Sequence, residues 1–366
     1  MDKAKRYNNI RLALDLGGTL LGWLFMFAIV LLGFSSWVEV IAFSVVSSPY
    51  LAFLTFAVII GTVETTLFFP LSFYGGYILE HKYGLSNHTF RSYFWEKFKA
   101  FGVGLVIGLP VLLVFYYLLR TFPEIWWLYV GVFMFLVSIV LGRLAPTLIF
   151  PLFYKFKPIE DETLAAMIRE RCGDAGMKVE GIFQFDMSKT TKKANAAFAG
   201  IGRSKRVILG DTLLEEFDHD EIDAVLAHEL GHFEMKHLWK MMAVGTVFTF
   251  VGLYLVSIAY SFWIEKLGFE DITQLAALPL LTLLFGIYGF MSGPLQNAIS
   301  RRHERQADRF SVEMRRDSSA MVRALEKLAD QNLADRNPHP VVELLFHSHP
   351  SIEKRIAHLR AYPLKI

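Results

Sequence analysis

The chain has little cysteine, little excess of charge and no internal repeats. Its single cysteine, Cys172, excludes a disulfide framework and a cysteine-based zinc site among its 366 residues. The 37 basic and 35 acidic residues leave a net charge of only +2, and the basic residues gather at the ends of apolar segments. Nucleic-acid binding needs a basic patch or stripe, so we expect no nucleic-acid partner.

Apolar residues, in contrast, are abundant and occur in long runs. Hydrophobic residues make up 54% of the chain and aromatic residues 15%, and the mean hydropathy is +0.38, which is too apolar for a soluble domain of this size. Six runs can each cross a hydrocarbon core of roughly 30 Å; they cover residues 12–34, 51–79, 101–119, 125–150, 241–264 and 275–295. We predict a mainly α, polytopic membrane protein with the lipid bilayer as a partner.

The positions of lysine and arginine predict the orientation of these spans. Lys3, Lys5 and Arg6 precede the first span, and further basic residues fill the loop 80–99. Because cytoplasmic loops carry an excess of such residues, both chain ends, this loop and the insert 151–240 are predicted to be cytoplasmic. The N-terminal apolar run is too long for a cleaved signal peptide, so it is predicted to remain as a span.

The spans divide the chain into four predicted segments. Two hold transmembrane helices, helices 1–4 with the cytoplasmic loop 80–99 in residues 1–150 and helices 5 and 6 in residues 241–297. The other two are cytoplasmic: a small α+β segment at 151–240, which contains the pentapeptide HELGH, and a C-terminal segment at 298–366.

The most specific motif is the pentapeptide HELGH at residues 228–232, just before the fifth span. Residues four apart project from the same face of a helix, so the imidazoles of His228 and His232 can bind one ion, and Zn²⁺ suits them. Glu229 is placed to take a proton from a water molecule whose pKa zinc lowers. The alternative is a chance or degenerate match that has no catalytic role.

A catalytic zinc needs a third protein ligand, and the segment after the sixth span offers one. Glu304 lies one helical turn before Asp308, so both can point the same way. We predict Glu304 as the third ligand and Asp308 as a carboxylate that accepts the free ring N–H of a ligating histidine. An antiparallel pair of the fifth and sixth spans would bring all three ligands to one membrane face. The alternative is a solvated charged helix with weak surface pairs.

The insert 151–240 has its own predicted elements, a polar helix at 161–173 and short strands at 181–187 and 206–210. Between the strands lies the uncharged stretch Asn195, Ala196, Ala197 and Phe198. Such a stretch suits an edge strand that pairs with an extended peptide substrate. A plain hairpin strand is an equally good interpretation of the pattern.

In this arrangement the chain resembles the type I CAAX prenyl endopeptidases, integral-membrane zinc metalloproteases that trim isoprenylated proteins. The resemblance covers roughly residues 50–360, and several motifs in order are more specific than HExxH alone. These motifs are EHKYGLSNHT at 80–89, NAAF at 195–198, DTLL at 211–214, HELGH, Ser300-Arg301 with Glu304, Ala307-Asp308, Ser348-His349-Pro350 and Arg355-Ile356.

The resemblance implies a ring of transmembrane helices around an internal chamber, capped by the zinc-protease domain. It also implies one Zn²⁺ per chain on His228, His232 and Glu304, with Glu229 as the general base. His349, with Arg355 near it, would stabilise the oxyanion. Asn195 to Phe198 would line the substrate strand, and Arg355 would also take part in substrate binding. The family usually has seven spans, whereas this chain has six apolar runs.

The resemblance further implies a peptide or protein substrate that ends in a prenylated cysteine and three more residues, cut after the cysteine. Two other functions remain open at this point. One is a membrane quality-control protease of the HtpX type, and the other is a catalytically silent membrane binding protein or chaperone. A cytoplasm-facing site fits a bacterial inner membrane or the endoplasmic reticulum, and the sequence slightly favours the bacterial one.

Overall fold

The computed structural model describes residues 2–199 and 206–363. Within these residues, six helical segments are long and apolar enough to cross a membrane. They are Lys3–Leu31, Pro49–Lys82, Phe90–Thr121, Trp126–Phe153, His237–Leu267 and Leu275–Arg315. The predicted fold class, a mainly helical polytopic membrane protein with a small α+β part, is confirmed.

Six helices build the first four spans, and a seventh, short helix lies between the first and second spans. Two π-helical turns, Tyr74–Ile78 and Ala145–Ile149, join α3 to α4 and α6 to α7, so each pair forms one span. The bounds are α1 Lys3–Leu31, α2 Phe34–Val45, α3 Pro49–Phe73, α4 Leu79–Lys82, α5 Phe90–Thr121, α6 Trp126–Leu144 and α7 Phe150–Phe153.

The short helix α2 was missed by the sequence prediction, which extended the first span to residue 34. The structure ends α1 at Leu31 and turns the chain at Gly33, whose φ of 74° is easily adopted only by glycine. With 12 residues, α2 is too short to span a membrane. It packs against α3 and the turn Leu275–Ala277.

The spans extend past the apolar runs because a charged residue ends an apolar run without ending a helix. Helix α5 begins at Phe90, capped by the Thr89 side chain, whereas the apolar run begins at residue 101. Helix α12, Leu278–Arg315, continues through Pro294 and out of the predicted membrane region. The predicted segment boundary between residues 297 and 298 falls inside this helix, so the sixth span and the Glu304 segment are one element.

A four-stranded sheet lies in the insert between the fourth and fifth spans. The strands are β1 Phe156–Pro158, β2 Gly181–Phe185, β3 Ala196–Ala199 and β4 Arg206–Gly210, in the order β1-β2-β4-β3. Strand β4 pairs in parallel with β2 and antiparallel with β3. Within the described residues β3 is therefore an edge strand, which is one of the two interpretations that the sequence left open. The three-residue strand β1 was missed because it is too short to show an alternating pattern.

The remaining helices include the fifth span, α11, and the helices that carry most of the motifs; among them α9 packs against β4 and α10 against β3. Their bounds are α8 Glu162–Asp174, α9 Asp211–Glu216, α10 His219–Glu234, α11 His237–Leu267, α13 Ser319–Gln331, α14 Pro340–Phe346 and α15 Ile352–Ala361. Helix α10 starts with a capping box in which the Asp218 side chain accepts from the Glu221 N–H and the Glu221 carboxylate accepts from the Asp218 N–H. This cap sets the start of the helix that carries HELGH.

Candidate active site

The HELGH residues lie on α10, and the helix spacing brings the two histidines together. Nε2 of His228 lies 3.2 Å from Nε2 of His232. Glu304 approaches both from α12, with Oε2 3.4 Å from His228 Nε2 and Oε1 3.3 Å from His232 Nε2. The structure thus places all three predicted metal ligands in one group, whose ligand atoms lie within 4.8 Å of one another.

Gly231 allows α10 and α12 to approach closely enough for this grouping. A Cβ atom at Gly231 would lie 3.0 Å from Ala307 Cα and 3.0 Å from Phe310 Cβ. Both of these atoms belong to α12, one helical turn or more beyond Glu304. A side chain at this position of HELGH would therefore push Glu304 away from the histidines.

The donor set fits zinc. Four ligands at about 2.0–2.1 Å in a tetrahedron lie roughly 3.3 Å from one another. The two Nε2 atoms are 3.2 Å apart, and each lies at a similar distance from a different Glu304 oxygen, His228 Nε2 3.4 Å from Oε2 and His232 Nε2 3.3 Å from Oε1. Oε2 of Glu304 is buried and makes no hydrogen bond in the described part of the chain. Its polar neighbours, His228 Nε2 at 3.4 Å and Arg355 Nη1 at 3.7 Å, make no hydrogen bond to it, and a bound cation would give it a partner. Two imidazoles and one carboxylate leave a fourth position open for water or substrate.

Asp308 lies behind His228, as predicted. Its side chain is fully buried, and Oδ1 lies 2.9 Å from His228 Nδ1. Because a carboxylate only accepts, Nδ1 carries the ring hydrogen and the lone pair of Nε2 faces the ligand group. Arg355 binds the same carboxylate through two nitrogens, Nε at 2.9 Å and Nη2 at 2.6 Å. Arg355, which the sequence assigned to substrate binding, is thus buried behind the ligands.

The charged groups around His228 favour positive charge. Burial alone would lower the pKa of His228, yet the carboxylates of Asp308 and Glu304 raise it to about 9. Burial likewise disfavours the Arg355 guanidinium, and Asp308 and Glu304 outweigh it and raise its pKa. The two carboxylates therefore stabilise positive charge beside His228, which is the electrostatic condition for binding a divalent cation.

His232 is held by a chain of contacts that the sequence analysis did not find. Its Nδ1 lies 3.1 Å from Nδ1 of His237, and Nε2 of His237 lies 3.0 Å from Oε1 of Gln306. An amide oxygen only accepts, so His237 carries its hydrogen on Nε2 and accepts on Nδ1 from His232. The lone pair of His232 Nε2 then faces the metal position. His237 lies just past HELGH and Gln306 two residues after Glu304, so both are close to the motifs in sequence. The motifs alone do not show that the two side chains touch.

Replacing His237 by Phe should lower zinc affinity by about 10–100-fold, because His232 loses the partner that orients its ring. A competition titration with a zinc chelator measures this. His303→Phe is the matched control, since the His303 ring stacks on His237 with centroids 4.1 Å apart and is not a partner of His232. Equal zinc affinity in the His237 variant and the wild type would contradict the assigned role.

His349 reaches the ligand group from the loop after α14. Its Nε2 lies 3.3 Å from Glu304 Oε1, and its Nδ1 lies 2.9 Å from the Ser348 hydroxyl. Arg301, buried on α12, holds this loop: its Nη1 donates to the carbonyl oxygens of Glu343, Leu344 and His347. Carbonyls at the end of a helix lack partners within the helix, and here the Glu343 carbonyl also accepts from the His347 N–H at 3.2 Å. The Ser300-Arg301 motif thus places His349 beside the metal position.

The predicted substrate stretch lies on β3, next to the helix of the metal ligands. Ala196 pairs with Leu209 and Phe198 with Val207, both on β4, and Asn195 precedes the strand with its carbonyl accepting from the Gly210 N–H at 2.9 Å. Helix α10 is in contact with β3. No strand among residues 2–199 and 206–363 pairs with the other edge of β3.

Together, the six apolar helices and the two-histidine, one-glutamate site define a membrane-embedded metalloprotease of the HExxH type. Comparison with known families agrees with this class. Residues 158–363 match peptidase family M48, and residues 1–155 match the CAAX prenyl protease N-terminal family, which has five membrane helices. The chain belongs to peptidase family M48.

Individual relatives extend this result. The chain is 31% identical to the uncharacterized metalloprotease YhfN of Bacillus subtilis over 97% of its own length and 84% of the relative's. It is also 31% identical to CAAX prenyl protease 1 of Saccharomyces cerevisiae, covering 84% of this chain and 71% of that protein. The crystal structure of S. mikatae Ste24p superposes with a TM-score of 0.85 at 28% identity, over 98% of this chain and 87% of that chain.

These matches confirm the predicted family, the multi-pass membrane architecture and the hydrolase class. The family implies a metal ion, and the group of His228, His232 and Glu304 offers it a place.

Proposed function

We propose that the chain is a zinc metalloendopeptidase that removes the C-terminal tripeptide from prenylated CAAX proteins or peptides. The observation that carries the proposal is the grouping of His228, His232 and Glu304 at spacings that suit a tetrahedral metal ion. Glu229 directly follows His228 on α10. The similarity to CAAX prenyl protease 1 supports the choice of substrate class.

In this proposal, the three ligands hold zinc and Glu229 moves the proton. When bound, zinc supplies a Lewis acid that polarises the scissile carbonyl and brings the pKa of water close to neutrality. The Glu229 carboxylate accepts a proton as the water oxygen bonds to the carbonyl carbon. It then delivers this proton to the amine nitrogen as the C–N bond breaks. Glu229 is half-buried, which limits competition from bulk water.

His349 is proposed to stabilise the oxyanion of the tetrahedral intermediate. If Nδ1 accepts from the Ser348 hydroxyl, the ring hydrogen is on Nε2, the atom that faces Glu304 and the metal position. That N–H is then aimed at the site where negative charge develops on the substrate oxygen. Arg355 would act indirectly in this scheme, since it holds Asp308 and through it His228.

The free edge of β3 is proposed to hold the substrate. An extended peptide can pair with the main chain of residues 195–198 and so lie beside α10. Antiparallel pairing is the more stable arrangement of the two possible directions. The main-chain pairing gives affinity for many sequences, and a prenyl group would add selectivity.

The active site is proposed to face the cytoplasm. HELGH precedes the fifth span, and Glu304 lies on α12 beyond the apolar run 275–295 of the sixth. Both ends are predicted to lie on the face that carries the basic residues Lys3, Lys5 and Arg6. A bacterial inner membrane and the endoplasmic reticulum both offer this orientation.

The substrate is tested with a farnesylated CAAX peptide and its unprenylated twin, incubated with the detergent-purified protein and analysed by mass spectrometry. We expect loss of the C-terminal tripeptide from the prenylated peptide at a far higher kcat/KM than from the twin. Equal cleavage of both peptides, together with cleavage of an unfolded membrane protein, would instead show a quality-control protease. Zinc-loaded protein that cleaves none of them would contradict the proposal.

A further inference from the structure

The segment 188–194 leads directly into β3, and contacts from several parts of the chain hold it. The motif EHKYGLSNHT at residues 80–89, which the metal site does not use, supplies many of them. Glu80 is the first residue of this motif, and its side chain is 12% exposed. It lies at the end of the second span, far along the chain from Lys193, its partner in the segment before β3.

Glu80 receives three donors from two other elements. On α1, the Tyr7 hydroxyl donates to its carboxylate and Arg11 Nη1 lies 3.0 Å away. Lys193, two residues before Asn195, places Nζ 3.0 Å from Glu80 Oε2 and 3.3 Å from the Tyr7 hydroxyl oxygen. A largely buried carboxylate with two cations and a hydroxyl thus joins the first span, the second span and the approach to β3.

The main chain of the same motif holds the preceding residues. The Leu85 carbonyl accepts from the Lys192 N–H and from the Thr191 hydroxyl, both at 3.0 Å. Asn87 donates its N–H to the Thr190 carbonyl at 3.1 Å. Residues 85–87 therefore pair with residues 190–192 almost as a short antiparallel ladder, with a bridge between Ser86 and Thr191.

A further set of contacts holds the other side of the segment. The Ala194 N–H donates to Asn332 Oδ1 at 3.0 Å, and the Lys193 carbonyl accepts from the Thr212 hydroxyl at 2.8 Å. The carbonyl of Leu333, the residue after Asn332, accepts from the Asn8 side chain of α1 at 2.7 Å. The membrane helices and the protease domain thus meet at the base of β3.

We propose that Glu80 and Lys193 are positioning residues, which fix β3 against the metal site so that an extended substrate binds in the productive place. The inference rests on the proposed function only in taking β3 as the strand that binds peptide. Neither residue belongs to the metal-binding group. Glu80 and Lys193 affect catalysis only by holding β3 in place.

An edge strand needs such an anchor because only one of its sides is paired. Strand β3 has four residues, and β4 supports it along one edge. A strand that is loose in the free protein must be ordered when a substrate pairs with it, and this ordering costs binding affinity. The Glu80–Lys193 pair ties the start of the strand to two membrane helices, which limits its movement.

The kinetic test compares Glu80→Gln, Lys193→Met and Lys193→Arg with the wild type, using any peptide that the wild type cleaves. Losing a charged hydrogen bond should raise KM by about tenfold in the first two variants, with kcat and bound zinc unchanged. Lys193→Arg should restore KM because the guanidinium still reaches Glu80. The double variant should match the single ones, since both changes remove one interaction.

A second readout does not depend on activity. In metal-free protein, hydrogen exchange of the β3 main chain should speed up by about tenfold in Glu80→Gln and Lys193→Met. Glu180→Gln is the control, because it breaks the two-point ion pair with Arg206 at the start of β4, where both contacts are 3.0 Å. The control should leave KM and exchange unchanged.

Three results would overturn the inference: unchanged KM and exchange in both variants, a fall in kcat without a change in KM, or an equal KM increase in Glu180→Gln. If the wild type cleaves no peptide, the proposed function fails while the exchange measurement still decides whether Glu80 and Lys193 anchor β3.

Discussion

Replacing Glu229 by Gln should lower kcat by about 10²–10⁴-fold and leave zinc bound, since this is the range that general acid–base catalysis contributes. The amide keeps the size of the side chain but cannot take a proton from water. His228, His232 and Glu304 are untouched, so the metal content should equal that of the wild type. Steady-state cleavage kinetics, with metal analysis of the same preparations, measure both quantities.

The matched control is Glu234→Gln on the last turn of the same helix. Glu234 is exposed and lies outside the metal-binding group, so this variant should keep full kcat. If Glu229→Gln keeps the wild-type kcat while holding one zinc, Glu229 is not the general base. If the wild type also binds zinc but cleaves no peptide, a catalytically silent binding role is favoured.

Replacing Asp308 by Asn should destabilise the protein by about 3–5 kcal/mol, because it removes the carboxylate that hydrogen-bonds to the buried Arg355 and leaves only Glu304 Oε2, 3.7 Å away, as a counter-charge. Arg355 is only 8% exposed and relies on both Asp308 oxygens. His228 also loses its charged partner, so zinc affinity should fall by about 10–100-fold. Thermal unfolding of the metal-free protein in detergent and a chelator titration measure the two effects separately.

A double variant separates stability from metal binding. Removing both charges, with Asp308→Asn and Arg355→Met, should recover most of the lost stability because no buried charge remains unpaired. Zinc affinity should stay low, since His228 Nδ1 still lacks the carboxylate. If the single Asp308 variant unfolds at the wild-type temperature, the buried pair does not stabilise this site.

The membrane part of the fold was predictable from composition because bilayer thickness sets a minimum length for an apolar helix. The helix ends were not, since α5 begins at Phe90 among charged residues and α12 runs on to Arg315. Helix α2 was missed because its apolar residues directly follow those of the first span and its 12 residues cannot cross a bilayer.

The metal ligands were predictable because a spacing of four residues on a helix is a local property, and α10 has it. Glu304 and Asp308 followed from the chemical need for a third ligand and its partner. His237, Gln306 and Arg301 were missed because their contacts depend on how α11, α12 and α14 pack. Arg301, for example, reaches carbonyls more than forty residues along the chain, at Glu343 and beyond. No local pattern marks such a contact.

The central claim is that one zinc ion on His228, His232 and Glu304 carries the peptidase activity. The most direct test measures zinc per chain and cleavage of the farnesylated peptide in one preparation, before chelation, after chelation and after zinc is added back. We predict one zinc per chain, loss of both zinc and cleavage on chelation, and recovery of both with zinc. Cleavage that persists at full rate in zinc-free protein would contradict the claim.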